Sequence, residues 1–231
     1  MSKQEQGKKF WFFILIRTFA NTFLILGLIL TSLALLPLIK TEVSYQWGSL
    51  LGQNYVISGD EAPKESGFYS VLAKLPPIPV IPVDTNFGIV IEKINVNAPV
   101  VPDVDSSHYE TYMEALKKGA AHAAGTAFPG SRGAENNNVF IFAHSTLNPW
   151  EVAKYNAIFI LLNKLEKGDR VVTFYKGKRF DYTVFDKKVV EANDVKYLTE
   201  PYKEPILTLQ TCDPPGTQWR RMIVSAKLVG S

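Results

Sequence analysis

The sequence predicts a mainly β domain, a closed or nearly closed barrel with short helices, behind one N-terminal transmembrane helix. Three observations predict it. Short apolar runs bounded by turn residues recur from residue 88 to the C-terminus, as strands do. They are not interleaved with regular helical patterns, as the strands of a parallel α/β sheet would be. Ahead of them, Thr18–Ile39 carries no charged residue. Strands with one apolar face and no helical layer to cover it bury that face by closing on themselves.

The N-terminal segment comes first. From Phe10 to Ile39 the only charge is Arg17. Thr18–Ile39 as a helix spans about 33 Å, enough for a hydrocarbon core. It is longer than a signal-peptide core, and Leu35-Leu-Pro-Leu-Ile39 makes a poor cleavage site, so the segment reads as a retained anchor. Lys3, Lys8 and Lys9 precede it, which places residues 1–17 in the cytoplasm and everything after Lys40 outside. Lys3, Lys8, Lys9 and Arg17 against Glu5 account for the whole net charge of +3. The remainder is neutral and offers no basic surface for nucleic acid.

Residues 40–86 read as an extracytoplasmic stalk. Gly48, Gly52, Gly59 and Gly67 precede the run Leu75-Pro-Pro-Ile-Pro-Val-Ile-Pro82, which favours an extended, semi-rigid spacer. Tyr45, Trp47, Tyr55 and Phe68 are more apolar than a spacer needs, which points part of the stretch to the domain or the membrane surface. The folded domain is expected over residues 87–231. Gly88–Ile94 and Ala98–Val101 read as strands. Ser107-His-Tyr-Glu110 fits a capping box, followed by Tyr109, Tyr112, Met113 and Leu116 at helical spacing, with Gly119 as the stop. Asn138–Ala143 reads as a buried strand and Glu151–Leu165 as a helix or two helical turns. Arg170–Tyr175 and Arg179–Val190 form a hairpin through Lys176-Gly177. Ile206–Thr211 and Arg221–Val229 complete the set.

The last two strands carry the chemistry. Leu207 and Leu209 share one face of the first, and Thr208, Gln210 and Cys212 the other, because side chains alternate along a strand. In the second, Met222, Val224, Ala226 and Leu228 share the apolar face and Arg221, Ser225 and Lys227 the other, with Ile223 an exception. Antiparallel pairing then sets Cys212 and Arg221 at one end of the sheet, on one face. Arg220 has core parity and is the weaker choice. Cys212 is the only cysteine in the chain. A fixed cation beside it is expected to lower the thiol pKa, or to stabilise an oxyanion. A proton shuttle is also needed, and His108, His122 and His144 are available. His144 ends an apolar strand at a loop, where functional residues concentrate. His108 reads as a solvated or capping residue. His122 stays open on spacing.

These residues resemble a known family. Thr208-Leu-Gln-Thr-Cys212 resembles the sortase signature Thr-Leu-any-Thr-Cys, and Arg221-Met-Ile-Val resembles the sortase arginine and the apolar strand behind it. Phe142-Ala-His-Ser145 resembles the family's histidine turn, with Ala143 for the usual glycine. Gly119–Gly130 is similar to the segment before that strand. Leu165-Glu-Lys-Gly-Asp169 and Val171-Val-Thr-Phe174 are similar to the turn and strand after it. The resemblance covers residues 87–229 in order.

The resemblance implies a barrel of seven to eight strands and a membrane-anchored cysteine transpeptidase. Cys212 would attack a peptide carbonyl in a C-terminal sorting signal of the Leu-Pro-any-Thr-Gly kind, giving a thioacyl intermediate. An amine of a peptidoglycan precursor or pilin would resolve it. His144 would move the protons and Arg221 hold the substrate and oxyanion. Thr211 would flank the nucleophile, and Tyr197 and Leu198, with Tyr202, would line the groove. His122 becomes a structural or groove-adjacent residue. No cofactor and no metal are expected, and the acidic residues form no dense ligand run. No C-terminal span and no Asp-Pro-aromatic lid motif are seen, which favours an anchoring sortase of class A, D or E type over a pilin polymerase. Three rivals stand beside this reading. One is a membrane-bound cysteine peptidase, with water as acceptor. Another is a non-catalytic tethered β-domain. A zinc site from the histidines and Cys212 lacks the close ligand pairs such sites use.

Overall fold

A computed structural model describes residues 3–60, 76–131, 136–145 and 157–230. The chain divides into two compact units, residues 1–41 and 42–231. A long helix, α1 (Lys3–Leu50), makes up the first unit and continues into the second. Among the described residues it holds the only stretch long and apolar enough to cross a bilayer, Phe10–Leu33, with a mean hydropathy of 2.1. That stretch starts ahead of Thr18 and takes in Arg17. Within it the Thr18 and Thr22 hydroxyls donate to Ile14 O and Thr18 O, each at 2.9 Å, so both polar groups are satisfied inside the helix.

The second unit is built on a closed barrel of eight strands. They are β3 (Phe87–Ile91), β4 (Val96–Val104), β5 (Ala120–Ala123), β6 (Asn138–Phe142), β7 (Arg170–Tyr175), β8 (Lys178–Glu191), β9 (Ile206–Asp213) and β10 (Arg220–Gly230). Their order around the barrel is β10-β8-β7-β3-β4-β5-β6-β9, and β9 closes on β10. Six seams are antiparallel, whereas β4–β5 and β6–β9 are parallel. Ile89, Ile91, Ile141, Leu207, Leu209 and Val224 are all fully buried. The predicted hairpin forms: Lys176 and Gly177 both take positive φ, 50° and 76°, as a two-residue turn matching the strand twist requires.

Several local readings are corrected. The capping box does not form. His108 is the N-cap of α2 (Tyr109–Leu116) and makes no side-chain cap, because Ser107 Oγ donates to Asp105 Oδ1 instead, at 2.6 Å. Gly119 does not stop the helix, which ends at Leu116. Its role is close approach, since a Cβ there would lie 2.2 Å from Pro99 O. Strand β5 was not expected, because Ala-Ala-His-Ala carries little β propensity; its small side chains are all buried. Of the Glu151–Leu165 segment, residues 151–156 lie outside the described residues. Turns over residues 157–161 and a 3-10 turn, Leu162–Lys164, fill the rest.

Part of the segment ahead of β3 packs on the barrel. Strand β1 (Tyr55–Ile57) pairs in parallel with β2 (Ile78–Val80), inside the proline run. Ile57 and Val80 cover Val90, Val172 and Phe174 on the outside of β3 and β7. Strand β3 is therefore buried on both faces, which explains its unbroken apolar run. Polar contacts hold the strap. Ile57 N donates to Glu92 Oε1 at 2.6 Å, and Asp60 bridges Arg170 and Arg179 at 2.9 and 2.7 Å. Phe68 lies outside the described residues.

Candidate active site

The site is set by register. Cys212 near the end of β9 is directly opposite Arg221 near the start of β10. On the other side of β9, Phe142 of β6 is level with Gln210 in the parallel seam. Two residues further along each chain are His144 and Cys212. Side-chain and backbone bonds carry that alignment past the end of β6. Ala143 N donates to Gln210 O at 3.1 Å, Thr211 Oγ1 to Ala143 O at 2.8 Å, and Ser145 Oγ to Cys212 O at 2.8 Å. Paired positions thus run from Cys212 of β9 to Arg221 of β10 and on to Val190 of β8, and the bonds past the end of β6 bring the turn that carries His144 alongside β9.

Alternation puts the next row of the same face at Phe142, Gln210, Ile223 and Lys188. Behind it an apolar cluster forms from Ala123, Phe140, Ile223 and Tyr197, with Phe142, Val190 and Leu198 packed on it. Tyr197 and Leu198 arrive on the helical turn Lys196–Thr199. Tyr197 is only 7% exposed, its carbonyl accepting from Asn138 Nδ2 at 2.8 Å, and Leu198 is half-buried above it. Thr211 is buried, its hydroxyl spent on the histidine turn.

The electrostatics differ from the expectation for the thiol. Cys212 is half-buried, and burial pushes its pKa up, with Arg221 pulling the other way. Desolvation disfavours the thiolate more than the nearby cation favours it. Arg221 Nη1 is tied to Gln218 O and Arg220 O, each at 3.1 Å. Arg220, given core parity by the sequence, is instead exposed and pairs with Asp213 at 3.0 Å, because the strand outruns the core there.

The other histidines lie elsewhere. His122 is fully buried, stacked on Phe128 at 4.4 Å. Its Nδ1 accepts from Asp103 N at 3.3 Å, which leaves Nε2–H to donate to Ala127 O at 2.9 Å. Burial lowers its pKa. His108 is exposed and bonds Asp105 at 2.6 Å. Among the described residues no three His, Cys, Asp or Glu side chains are grouped to hold a metal ion.

A family model for the sortase domain matches residues 89–229, well over half of the chain. The chain belongs to the sortase family. Sortase D of Bacillus subtilis (strain 168) is 26% identical over 142 residues, 60% of this chain and 61% of that protein. The match thus spans about three fifths of the curated relative's length. Among solved structures, sortase C-1 from Actinomyces oris superposes with a TM-score of 0.52 and 26% identity, covering 64% of this sortase and 76% of that chain. Sortase C from Streptococcus pneumoniae, described with reference to pilin substrate specificity, gives 0.52 and 27%, covering 62% and 66%. These relatives are of classes C and D, where the sequence pointed to A, D or E.

Two residues beside the site escaped the sequence reading. Ser145 links the histidine turn to Cys212 and to the loop beyond, accepting from Gly216 N at 3.2 Å. Its only signal was its place after His144. Tyr112 of α2 packs edge-on against Phe142, with ring centroids 6.3 Å apart. Its place in the helical apolar pattern disguised it as a core residue.

Proposed function

We propose that this sortase is a membrane-anchored cysteine transpeptidase, with Cys212, His144 and Arg221 as its catalytic residues. It cleaves a C-terminal sorting signal of the Leu-Pro-any-Thr-Gly kind and joins the protein to an amine. The observation that supports the reading is the register that sets Cys212 opposite Arg221, beside a parallel seam that ends at Phe142 and Gln210, two residues before His144 and Cys212. A nucleophile flanked by a titratable base and a permanent cation is what acyl transfer through a thioester requires.

Cys212 Sγ bonds to the scissile carbonyl carbon as its proton passes to His144. The carbonyl electron pair moves onto oxygen, beside the Arg221 guanidinium. The pair returns, the C–N bond breaks, and the leaving amine takes the proton from His144. The incoming amine repeats these steps in reverse, giving its proton to His144, and the thiol is restored. Thr211 holds the histidine turn against the nucleophile strand, and Tyr197 and Leu198 support the wall of the substrate groove. The acceptor is an amine of a peptidoglycan precursor or a pilin subunit. The Lys3, Lys8 and Lys9 cluster supports a cytoplasmic N-terminus and an extracytoplasmic barrel.

The test incubates the full chain in detergent with a Leu-Pro-any-Thr-Gly peptide library, with and without triglycine, and follows products by mass spectrometry. Cleavage with transfer to triglycine, absent in Cys212→Ala, is expected. Cysteine-dependent cleavage without transfer would replace the transpeptidase with a peptidase. A wild-type thiol that forms no acyl adduct would sink the catalytic reading.

A further inference from the structure

The loop between β8 and β9, residues 192–205, contains the helical turn that bears Tyr197 and Leu198. Those two side chains pack in a cluster with Val190 and Ile223. Val190 is level with Arg221, and Ile223 lies two residues beyond Arg221 on β10. Tyr197 is the one buried side chain of the turn. A loop resting on a single ring opens readily, because few buried contacts and solvated backbone bonds mark the parts of a fold that open first.

The rest of its support is polar and comes from the start of β6. Asn138 is fully buried. Its Nδ2 donates to Tyr197 O at 2.8 Å, and its Oδ1 accepts from Thr208 Oγ1 at 2.8 Å. Thr208 stands on β9 four residues before Cys212, so one amide joins the strand of Cys212 to the turn of Tyr197. Asn137, 7% exposed, holds the second half of the loop. Its Nδ2 donates to Lys203 O at 2.9 Å and to Tyr202 O at 3.3 Å, and its backbone N donates to Tyr202 O at 3.2 Å. The pair is itself braced: Asn138 N donates to Asn136 Oδ1 at 3.0 Å, and Ile206 N to Asn137 O at 3.0 Å. Asparagine suits the task because one short, neutral side chain offers donors and an acceptor at once.

We propose that Asn138, with Asn137, is a positioning residue for the sorting signal: the two amides pin the loop that carries Tyr197 and Leu198, so that the groove wall stands before the peptide arrives. This rests on Tyr197 and Leu198 lining the substrate groove. With both halves of the loop pinned, binding does not have to order it. Once a pin is lost, only a fraction of molecules hold the wall in place, and apparent affinity falls by that fraction. A buried hydrogen bond is worth roughly tenfold in such an equilibrium. Bound peptide restores the wall, so the chemical step at Cys212 keeps its rate. The signature is a rise in KM with kcat retained.

The test uses the full chain in detergent, with Asn138→Ala and, should that variant fail to fold, the less buried Asn137→Ala. Hydrogen–deuterium exchange is followed by mass spectrometry across residues 195–204, where Leu198 N, Thr199 N and Glu200 N bond inside the turn. Each variant should speed exchange there about tenfold. For the library peptide that wild type cleaves fastest, KM should rise about tenfold, with kcat and the alkylation of Cys212 by iodoacetamide both within about twofold of wild type. Unchanged exchange would overturn the proposal, because the apolar contact alone would then hold the loop. Faster exchange with an unchanged KM would overturn it too, by showing that the wall does not meet the peptide, and would leave Cys212 in its role. Loss of kcat and of alkylation at constant KM would reassign Asn138 to the support of β9 through Thr208. A wild type that cleaves no peptide would take down the transpeptidase reading first, and the proposal with it.

Discussion

The strap formed by β1 and β2 should be part of the folded unit, and Ile57→Ala tests this most directly. Ile57 is 3% exposed and packs with Val90, Val172, Phe174 and Val80. Truncating a buried isoleucine costs about 2–5 kcal/mol. A small satellite cluster can relax around the gap, which puts this site at about 2–3 kcal/mol. For a unit of this size each kcal/mol shifts Tm by about 2–4 °C, so Ile57→Ala should melt about 5–10 °C lower. Asp60→Ala removes the acceptor shared by Arg170 and Arg179. These arginines are partly solvated, so the loss is about 1–2 kcal/mol. That loss should depend on pH. Arg179 holds the Asp60 carboxyl below its ordinary range, so the stabilisation is complete above the unfolded value near 4 and fades as pH falls through the folded value. The difference between wild type and Asp60→Ala should therefore shrink in acid. The assay is thermal unfolding of the detergent-solubilised chain, followed by near-ultraviolet circular dichroism. The strap lies on β3 and β7, away from β6, β9 and β10, so iodoacetamide should react with Cys212 at the wild-type rate below the transition. A Tm within about 1 °C of wild type for both variants would mean that residues 54–60 are a free spacer and that the packing argument is wrong.

Other outcomes follow from the site and its supports. Arg221→Gln should move the alkylation profile of Cys212 further up the pH scale, because it removes an influence that lowers the thiol pKa; a profile moving down would reverse the assigned electrostatics. Ser145→Ala should lower peptide turnover several-fold while costing only about 1 kcal/mol in stability, as the bond to Cys212 O is lost; unfolding in denaturant beside kcat separates the two. Gly119→Ala should destabilise by about 1–3 kcal/mol, since its Cβ meets the Pro99 carbonyl, and an unchanged midpoint would show that the strand yields freely. His122 is buried with a lowered pKa; as pH falls below about 6.5 the unfolded chain takes up a proton that the folded one refuses, and stability declines. His122→Gln should flatten that decline, with Asp103 the acidic group facing the ring, and an unaltered pH dependence of the melting midpoint would exclude His122 as its source.

Alternation made Cys212 and Arg221 legible, because two consecutive antiparallel strands fix each other's register through one short loop. The length of the apolar runs made β6, β7, β8, β9 and β10 legible for the same local reason. His144 could be ranked but not placed, because its strand joins β9 through a parallel seam that no hairpin announces. Strand β5 was hidden by alanines that suit a crowded seam and carry no strand signal of their own. Strand β2 was hidden by prolines, which are tolerated on a short pair at the rim of the fold. The thiol electrostatics were misjudged for a physical reason. Sequence names the charge beside a group but not the amount of water removed from it, and at Cys212 desolvation is the larger effect.

The parallel seam between β6 and β9 also dictates when the site can come into being. Cys212 and Arg221 belong to one hairpin and can meet as soon as it closes. The links that bring the histidine turn to them, Thr211 to Ala143 and Ser145 to Cys212, join residues 68 and 67 positions apart. Contacts of such long range form late, after the chain between them has been ordered. On the proposed mechanism, Cys212 therefore remains apart from His144 until the barrel has closed, and the first active molecule would be a completely folded one.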